Sequence, residues 1–381
     1  MVTQYPLKAF IINRVLEICF WLLSTIIKFF NKIVPYENSA MNILLIEPFQ
    51  LGDVISLSTV FRPLKDKYPD CNIYILTKTS NAHLFENDYR VAGVLTAEFP
   101  WSDHGAKRYG TIQRWKNLLV QLNKIRRIDF KFGIDTRGDI RSQFILKFLH
   151  CEKVIGYTRN NGSNLTNLGL LLNIPIIPNN NYLHRYEWNI YTLTALGFDV
   201  AQLFPIQFPS IITKSNLNNN YILIHVGSGW EYKRWNQKNW VMLINYILET
   251  YNQEVHLIAG NNEKEVLEEL ILELGVKKKL YTRITTYKEL VEEISNCTIF
   301  IGLDSGPMHI ADCLNKSVLA LFGPGNSELW RPYSNGSHYI HNINSFKCNP
   351  CFQKECLHPF NNCMDAIKIE EVKLILRMFK L

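Results

Sequence analysis

Short runs of branched apolar residues recur along this chain, and each ends in a loop of glycine or polar residues. Asn42 to Glu47 (NILLIE) is the first; the loop Pro48 to Gly52 follows, then helical spacing from Asp53 to Tyr68. Cys71 to Thr77, Phe130 to Asp135 and Val154 to Tyr157 repeat the form. Runs without polar alternation suit strands buried on both faces of a parallel sheet. Strands of this kind alternating with helices give a doubly wound α/β layer. The pattern starts afresh at Tyr221 to Val226 (YILIHV) and continues through Glu254 to Ala259, Cys297 to Leu303 and Ser317 to Phe322. Between the two series lies Phe204 to Asn220, rich in Pro, Ser and Asn. A chain of 381 residues exceeds one ordinary core. We expect two Rossmann-like domains, residues 41–205 and 206–381, after a separate segment 1–40. Ligands of open α/β sheets collect at the carboxyl ends of the strands, so the loops would line a central cleft between the domains.

The leading segment, Ala9 to Val34, is apolar but interrupted by Asn13, Arg14, Glu17, Lys28 and Lys32. At roughly 100° per residue these polar positions, with Ser24, Thr25 and Asn31, fall within about 120° of arc. Only Phe10 and Trp21 intrude on that arc; bulky aliphatics and Phe fill the rest. A cleavable signal would need an uninterrupted apolar core and a small-residue cleavage site. The longest uncharged run, Ile18 to Ile27, is half of a membrane span. An amphipathic helix lying on an anionic membrane surface fits this pattern; a helix packed on the protein's own core and a true span are the alternatives.

Apolar residues make up 47% of the chain and charged residues 20%, and the net charge is +7. That balance excludes a disordered chain and favours anionic partners. Basic runs interleaved with aromatics, the footprint of nucleic-acid binding, are missing.

Three loops carry candidate chemistry. In Leu51-Gly52-Asp53 the carboxylate could accept a proton from an attacking hydroxyl; as a helix cap it would need no such role. Small residues and a lysine in Gly227-Ser228-Gly229 to Trp235, with Lys233, suit a diphosphate; a solvated surface turn is the plain reading. Gly302 to His309 runs from a strand through Asp304-Ser305-Gly306 into a helix whose N-terminus favours anions. His309, one turn in, could equally be a core residue.

In order and spacing, these stretches resemble glycosyltransferase family 9, the bacterial ADP-heptose:lipopolysaccharide heptosyltransferases. The likeness runs over roughly residues 41 to 375: Asn42 to Tyr68, Asp135 with Gly138 to Ser142, Ile155 to Tyr157, His184 to Glu187, Gly227 to Trp235, Ala259 to Glu263, Gly302 to Ala311 and Leu321 to Pro324. The resemblance implies the GT-B fold and inverting transfer of a sugar from a nucleotide-sugar donor to a lipid-linked saccharide acceptor. It implies Asp53 as general base, and Ser228, Gly229 and Lys233 on the donor diphosphate. Asp304, Ser305, Gly306 and His309 would line the donor sugar and phosphates, and Glu263 would reach the nucleoside. It also implies catalysis without a metal cofactor, in keeping with the lack of an Asp-x-Asp loop, and a cytoplasmic enzyme on the inner face of the inner membrane. Transfer of another sugar, or nucleotide-sugar epimerisation, is the alternative activity.

Outside those loops, Cys348, Cys351, Cys356 and Cys363 place four thiols within sixteen residues. Structural zinc or iron, disulfides and unliganded thiols are all compatible with that spacing. Ile367 to Lys380 reads as a terminal helix.

Overall fold

The computed structural model describes residues 7–30, 41–85, 88–102, 112–160, 165–178, 184–203, 220–342, 346, 348, 351, 356–358, 362–379 and 381, with side chains 9–26 in the first stretch. The chain divides into two compact units, Met1–Pro209 and Ser210–Leu381. Their boundary falls in 204–219, outside the described residues.

The N-terminal unit holds a six-stranded parallel sheet of β1 (Asn42–Ile46), β2 (Asn72–Thr77), β3 (Val91–Thr96), β4 (Phe132–Asp135), β5 (Lys153–Tyr157) and β6 (Ile174–Ile176). Its order is β3-β2-β1-β4-β5-β6. β1 is central: Asn42 pairs with Asn72 on one side and Ile43 with Phe132 on the other. That position requires the unbroken apolar run, and Ile43 to Ile46 are fully buried. Pro175 lies on the edge strand β6, where a missing N–H costs no ladder bond.

The C-terminal unit repeats the plan with β7 (Tyr221–His225), β8 (Glu254–Ala259), β9 (Leu280–Ile284), β10 (Ile299–Leu303), β11 (Ser317–Phe322) and β12 (His338–His341). The order is β12-β11-β10-β7-β8-β9. Each sheet therefore reverses direction beside its first strand, between β1 and β4 and between β7 and β10, and such a switch point leaves a crevice at the strand ends.

The helices that matter here are α1 (Leu7–Phe30), α2 (Leu51–Ser56), α3 (Ile140–Phe148), α4 (Arg185–Tyr191), α5 (Gln237–Thr250), α6 (Lys264–Leu274), α7 (Gly306–Cys313) and α8 (Ile369–Leu376). The expected helix from Asp53 to Tyr68 is three pieces: α2, a 3-10 turn over Leu57–Val60, and a helix at Phe61–Lys67. The terminal helix α8 is shorter than its apolar spacing suggested. Val372 and Leu376 join Leu243 and Ile247 of α5 in the core of the C-terminal unit.

α1 corrects the expectation for the leader in one respect. Its polar side was expected to meet water and headgroups. Instead Asn13, Arg14 and Glu17 turn onto the N-terminal unit, where they bond to residues 166–170. The apolar side faces outward, and α1 leans on α3 through Phe20, stacked 4.6 Å from Phe144. Asn31, Lys32 and the polar stretch 35–39 lie outside the described residues.

Candidate active site at the two switch points

In the N-terminal unit β1 delivers Asp53 and β4 delivers Arg137. Asp53 is the third residue of α2, and its Oδ2 accepts from the Gln50 N–H at 3.1 Å. It is thus a helix cap as well. Its Oδ1 accepts a short hydrogen bond from Arg137. Burial pulls the Asp53 carboxyl up, but the guanidinium groups of Arg137 and Arg185 outweigh it and leave it below the ordinary aspartate range.

Arg137 is held from three sides. Its guanidinium lies over the Phe49 ring at 4.1 Å. Its N–H donates to Asp135 Oδ1 at 3.0 Å, while Asp135 Oδ2 accepts from the Asp139 N–H and from Gln143. The next residue, Gly138, has φ +76°, and a Cβ there would stand 2.2 Å from the Arg159 carbonyl oxygen. Only glycine fits this turn.

Behind Arg137 sits Glu47, fully buried at the end of β1, 3.8 Å from the Arg137 guanidinium. Arg185 of α4, equally buried, donates to Glu47 Oε2 at 2.8 Å and to the Thr136 carbonyl and hydroxyl. Burial pushes the Glu47 carboxyl up to about 7 against the pull of both arginines. The switch point is therefore a four-charge network, Asp53–Arg137–Glu47–Arg185, of which only Asp53 stood out in the sequence. The missed signal was Glu47: a carboxylate closing an otherwise apolar strand demands a cationic partner.

In the C-terminal unit the corresponding switch point of its own sheet holds a second acid–base pair. Lys233, after β7, lies 2.6 Å from Asp304 Oδ2, after β10, and also donates to the Asp304 carbonyl at 3.1 Å. A Cβ on Gly325 would meet Asp304 Oδ2 at 2.0 Å, so the loop after β11 closes on the same carboxylate. Ser305 caps α7 at Gly306, and its buried Oγ has no partner among the described residues.

Glu263 sits at the head of α6, after β8 of the same sheet. Its Oε2 accepts from the Gly260 N–H at 3.0 Å and lies 3.2 Å from His225 Nε2. A Cβ on Gly227 would fall 2.0 Å from its carboxyl carbon, so glycine is required there. Burial raises Glu263, but His225, then the Gly260 N–H and Arg234, bring it below the ordinary glutamate range. His225 Nδ1 and Arg234 Nε are buried without partners among the described residues. Ser228 is buried and accepts from the Trp230 N–H; Gly229 has open space where a Cβ would be. His309 lies 6% exposed, edge-on to Trp330 at 5.4 Å.

The four clustered cysteines line one cavity with Tyr232, Pro324 and Phe346. All four are free thiols in this structure. Cys351 N–H donates to the Pro324 carbonyl at 2.9 Å, which ties the cavity to the loop after β11. Burial, then the neighbouring thiols Cys356, Cys351 and Cys348, push Cys363 up to about 12. Among the described residues, no three His, Cys, Asp or Glu already stand at metal-holding distances.

The family model of glycosyltransferase family 9 (heptosyltransferase) matches residues 121–360. The chain belongs to glycosyltransferase family 9. This family 9 enzyme is 24% identical over 340 residues to lipooligosaccharide heptosyltransferase 2 of Campylobacter jejuni, covering 87% of the chain and 97% of the relative. It is similar in fold to the E. coli ADP-heptose lipopolysaccharide heptosyltransferase II (TM-score 0.65, 17% identity, 88% and 98% of the two chains). The E. coli heptosyltransferase WaaC with ADP gives TM-score 0.67 at 14% identity, with 88% and 99% covered. The two doubly wound units of the family 9 enzyme are the Rossmann-like pair of the GT-B class, and the enzyme is a glycosyltransferase.

Proposed function

We propose that this enzyme transfers a heptose from ADP-heptose to the saccharide core of a lipid-linked acceptor, working at the cytoplasmic face of the inner membrane. The relatives' heptosyltransferase names support the sugar and the acceptor class. The observation that carries the reading is the switch-point pair in the C-terminal unit. There Lys233 and Asp304 neutralise one another in the crevice where a diphosphate would exchange for the carboxylate. Asp53 accepts the proton of the acceptor hydroxyl as its oxygen attacks the anomeric carbon. The bond to the diphosphate breaks with inversion, and Lys233 and the N-terminus of α7 stabilise the departing negative charge. Glu263, fixed by His225 and the Gly260 N–H, takes a ribose hydroxyl, and Ser228, Gly229 and Ser305 hold phosphate oxygens. His309 supports the α7 wall.

Purified enzyme offered a panel of nucleotide sugars should retain ADP-heptose in native mass spectrometry and transfer from it. Selective retention of a different nucleotide sugar would overturn the sugar assignment. Lys233→Ala should weaken ADP binding roughly 10- to 100-fold by calorimetry, since a charge-assisted bond is lost and Asp304 stays behind as a repelling charge. Unchanged affinity would reduce Lys233 to a partner of Asp304.

For the cysteine cavity we propose a structural zinc or iron. Four sulfur donors around one cavity match the soft tetrahedral preference of these ions. A bound ion would hold these thiols as thiolates. Elemental analysis of protein purified without added metal should find about one ion per chain. Cys351→Ser should lose it and melt at lower temperature. A metal-free protein with an unchanged melt would overturn this proposal.

A further inference from the structure

α1 is docked inside out. Among Ala9–Ile26, Glu17, the one acidic residue, is the only fully buried one. Its two carboxylate oxygens accept from the Leu168 and Leu170 N–H groups at 2.5 and 3.0 Å. Asn13 donates to the Thr166 carbonyl and Arg14 to the Thr166 hydroxyl. On the other side Ile12, Val15, Leu22 and Ile26 are between 49% and 54% exposed. The receiving loop continues that surface, with Leu168 51% and Leu170 37% exposed. A helix that only braced its own unit would turn this apolar side inward.

We propose that the outer face of α1, extended by Leu168 and Leu170, docks into the interfacial layer of an anionic lipid bilayer and does not span it. Three observations select this occupant. The segment Ala9–Ile26 is apolar enough to enter a membrane by length and composition, and only 6% of it is buried on the protein. In the sequence Lys8 falls on the same arc as Ile12, Val15 and Ile26, and the chain's net charge of +7 favours acidic headgroups. The polar side is fixed to the protein, and this is what separates lying from spanning. A spanning helix would carry Arg14 and Glu17 into hydrocarbon and strip the partners from two backbone N–H groups. Lying flat keeps every one of these bonds and buries the side that is bare. The inference rests on the lipid-linked acceptor proposed above for its purpose only.

Flotation with vesicles of phosphatidylethanolamine and phosphatidylglycerol tests it. The full chain should float, and Val15→Glu with Leu22→Glu should cut partitioning roughly tenfold or more. Both residues are exposed, so the melting temperature and turnover on a soluble acceptor should not change. Alkaline carbonate should release the wild-type chain from the vesicles, as a spanning helix would not be. Equal flotation of wild type and variant would overturn the proposal. So would wild type that stays in solution as a dimer and becomes monomeric in the variant, which would make the face a contact between copies. Failure to float with transfer to the soluble acceptor intact would sink this inference alone. Loss of transfer with flotation intact would sink only the assigned reaction.

Discussion

Asp53→Asn is expected to keep the fold and the affinity for ADP while transfer falls about 10²- to 10⁴-fold, the usual effect of removing a general base. The amide is nearly isosteric, and its oxygen can still accept from the Gln50 N–H that Asp53 now caps. The negative charge beside Arg137 is what disappears. Arg137 keeps Glu47 at 3.8 Å, so the loop after β4 retains one anionic partner. Single-turnover transfer with saturating donor, beside calorimetry with ADP, reads the two properties apart. Transfer near the wild-type rate would remove Asp53 from the chemistry and leave it as a helix cap. The pH profile adds a sign. Arg137 and Arg185 hold Asp53 below the ordinary range, so it is ionised throughout neutral pH. An acid limb near 7 in the wild type would therefore report Glu47, whose carboxyl is raised to about 7, and should move to lower pH in any residual activity of the variant, because the Asp53 charge helps to raise it.

Arg185→Met should be the most destabilising single change in the N-terminal unit. Arg185 is 1% exposed, and its loss would leave Glu47 buried without its closest cation while Thr136 loses two donors. Breaking a buried pair from one side costs about 3–5 kcal/mol. Adding Glu47→Gln should recover part of that, because no charge is then stranded. The loss should also depend on pH. A raised carboxyl pKa favours the folded state fully below the ordinary glutamate value of 4.5, and the contribution fades as pH rises through about 7. Without Arg185 the stranded carboxylate should make the variant comparatively worse above neutrality. Urea unfolding of the single and double variants on either side of neutral pH measures both effects. A loss below about 1 kcal/mol, the scale of an exposed pair, would show that Glu47 simply takes a proton.

Central strands were legible because burial on both faces demands unbroken apolar runs, as NILLIE and YILIH show. Edge strands were not. β3 (VAGVLT) and β9 (LYTRI) are half-exposed and carry mixed residues that also suit loops. The pair Lys233 and Asp304 could be read because each sits in a recognisable loop after a strand. The N-terminal network could not, since Arg185 lies 138 residues from Glu47 and no local spacing joins them. The orientation of α1 was hidden for the same reason. Its polar arc was plain in the sequence, but Thr166, Leu168 and Leu170, which it binds, lie more than 150 residues away.

That separation has a consequence during synthesis. Glu17 leaves the ribosome 151 residues before Leu168. At about 5–20 residues per second, α1 spends on the order of 10 to 30 s without the surface its polar side will bind. For that time it is a free amphipathic segment ahead of a sheet whose central strand still waits for β4. Under the docking proposed above, a nascent chain of this kind would meet lipid before it has a domain to be anchored by, and binding would precede folding of the N-terminal sheet.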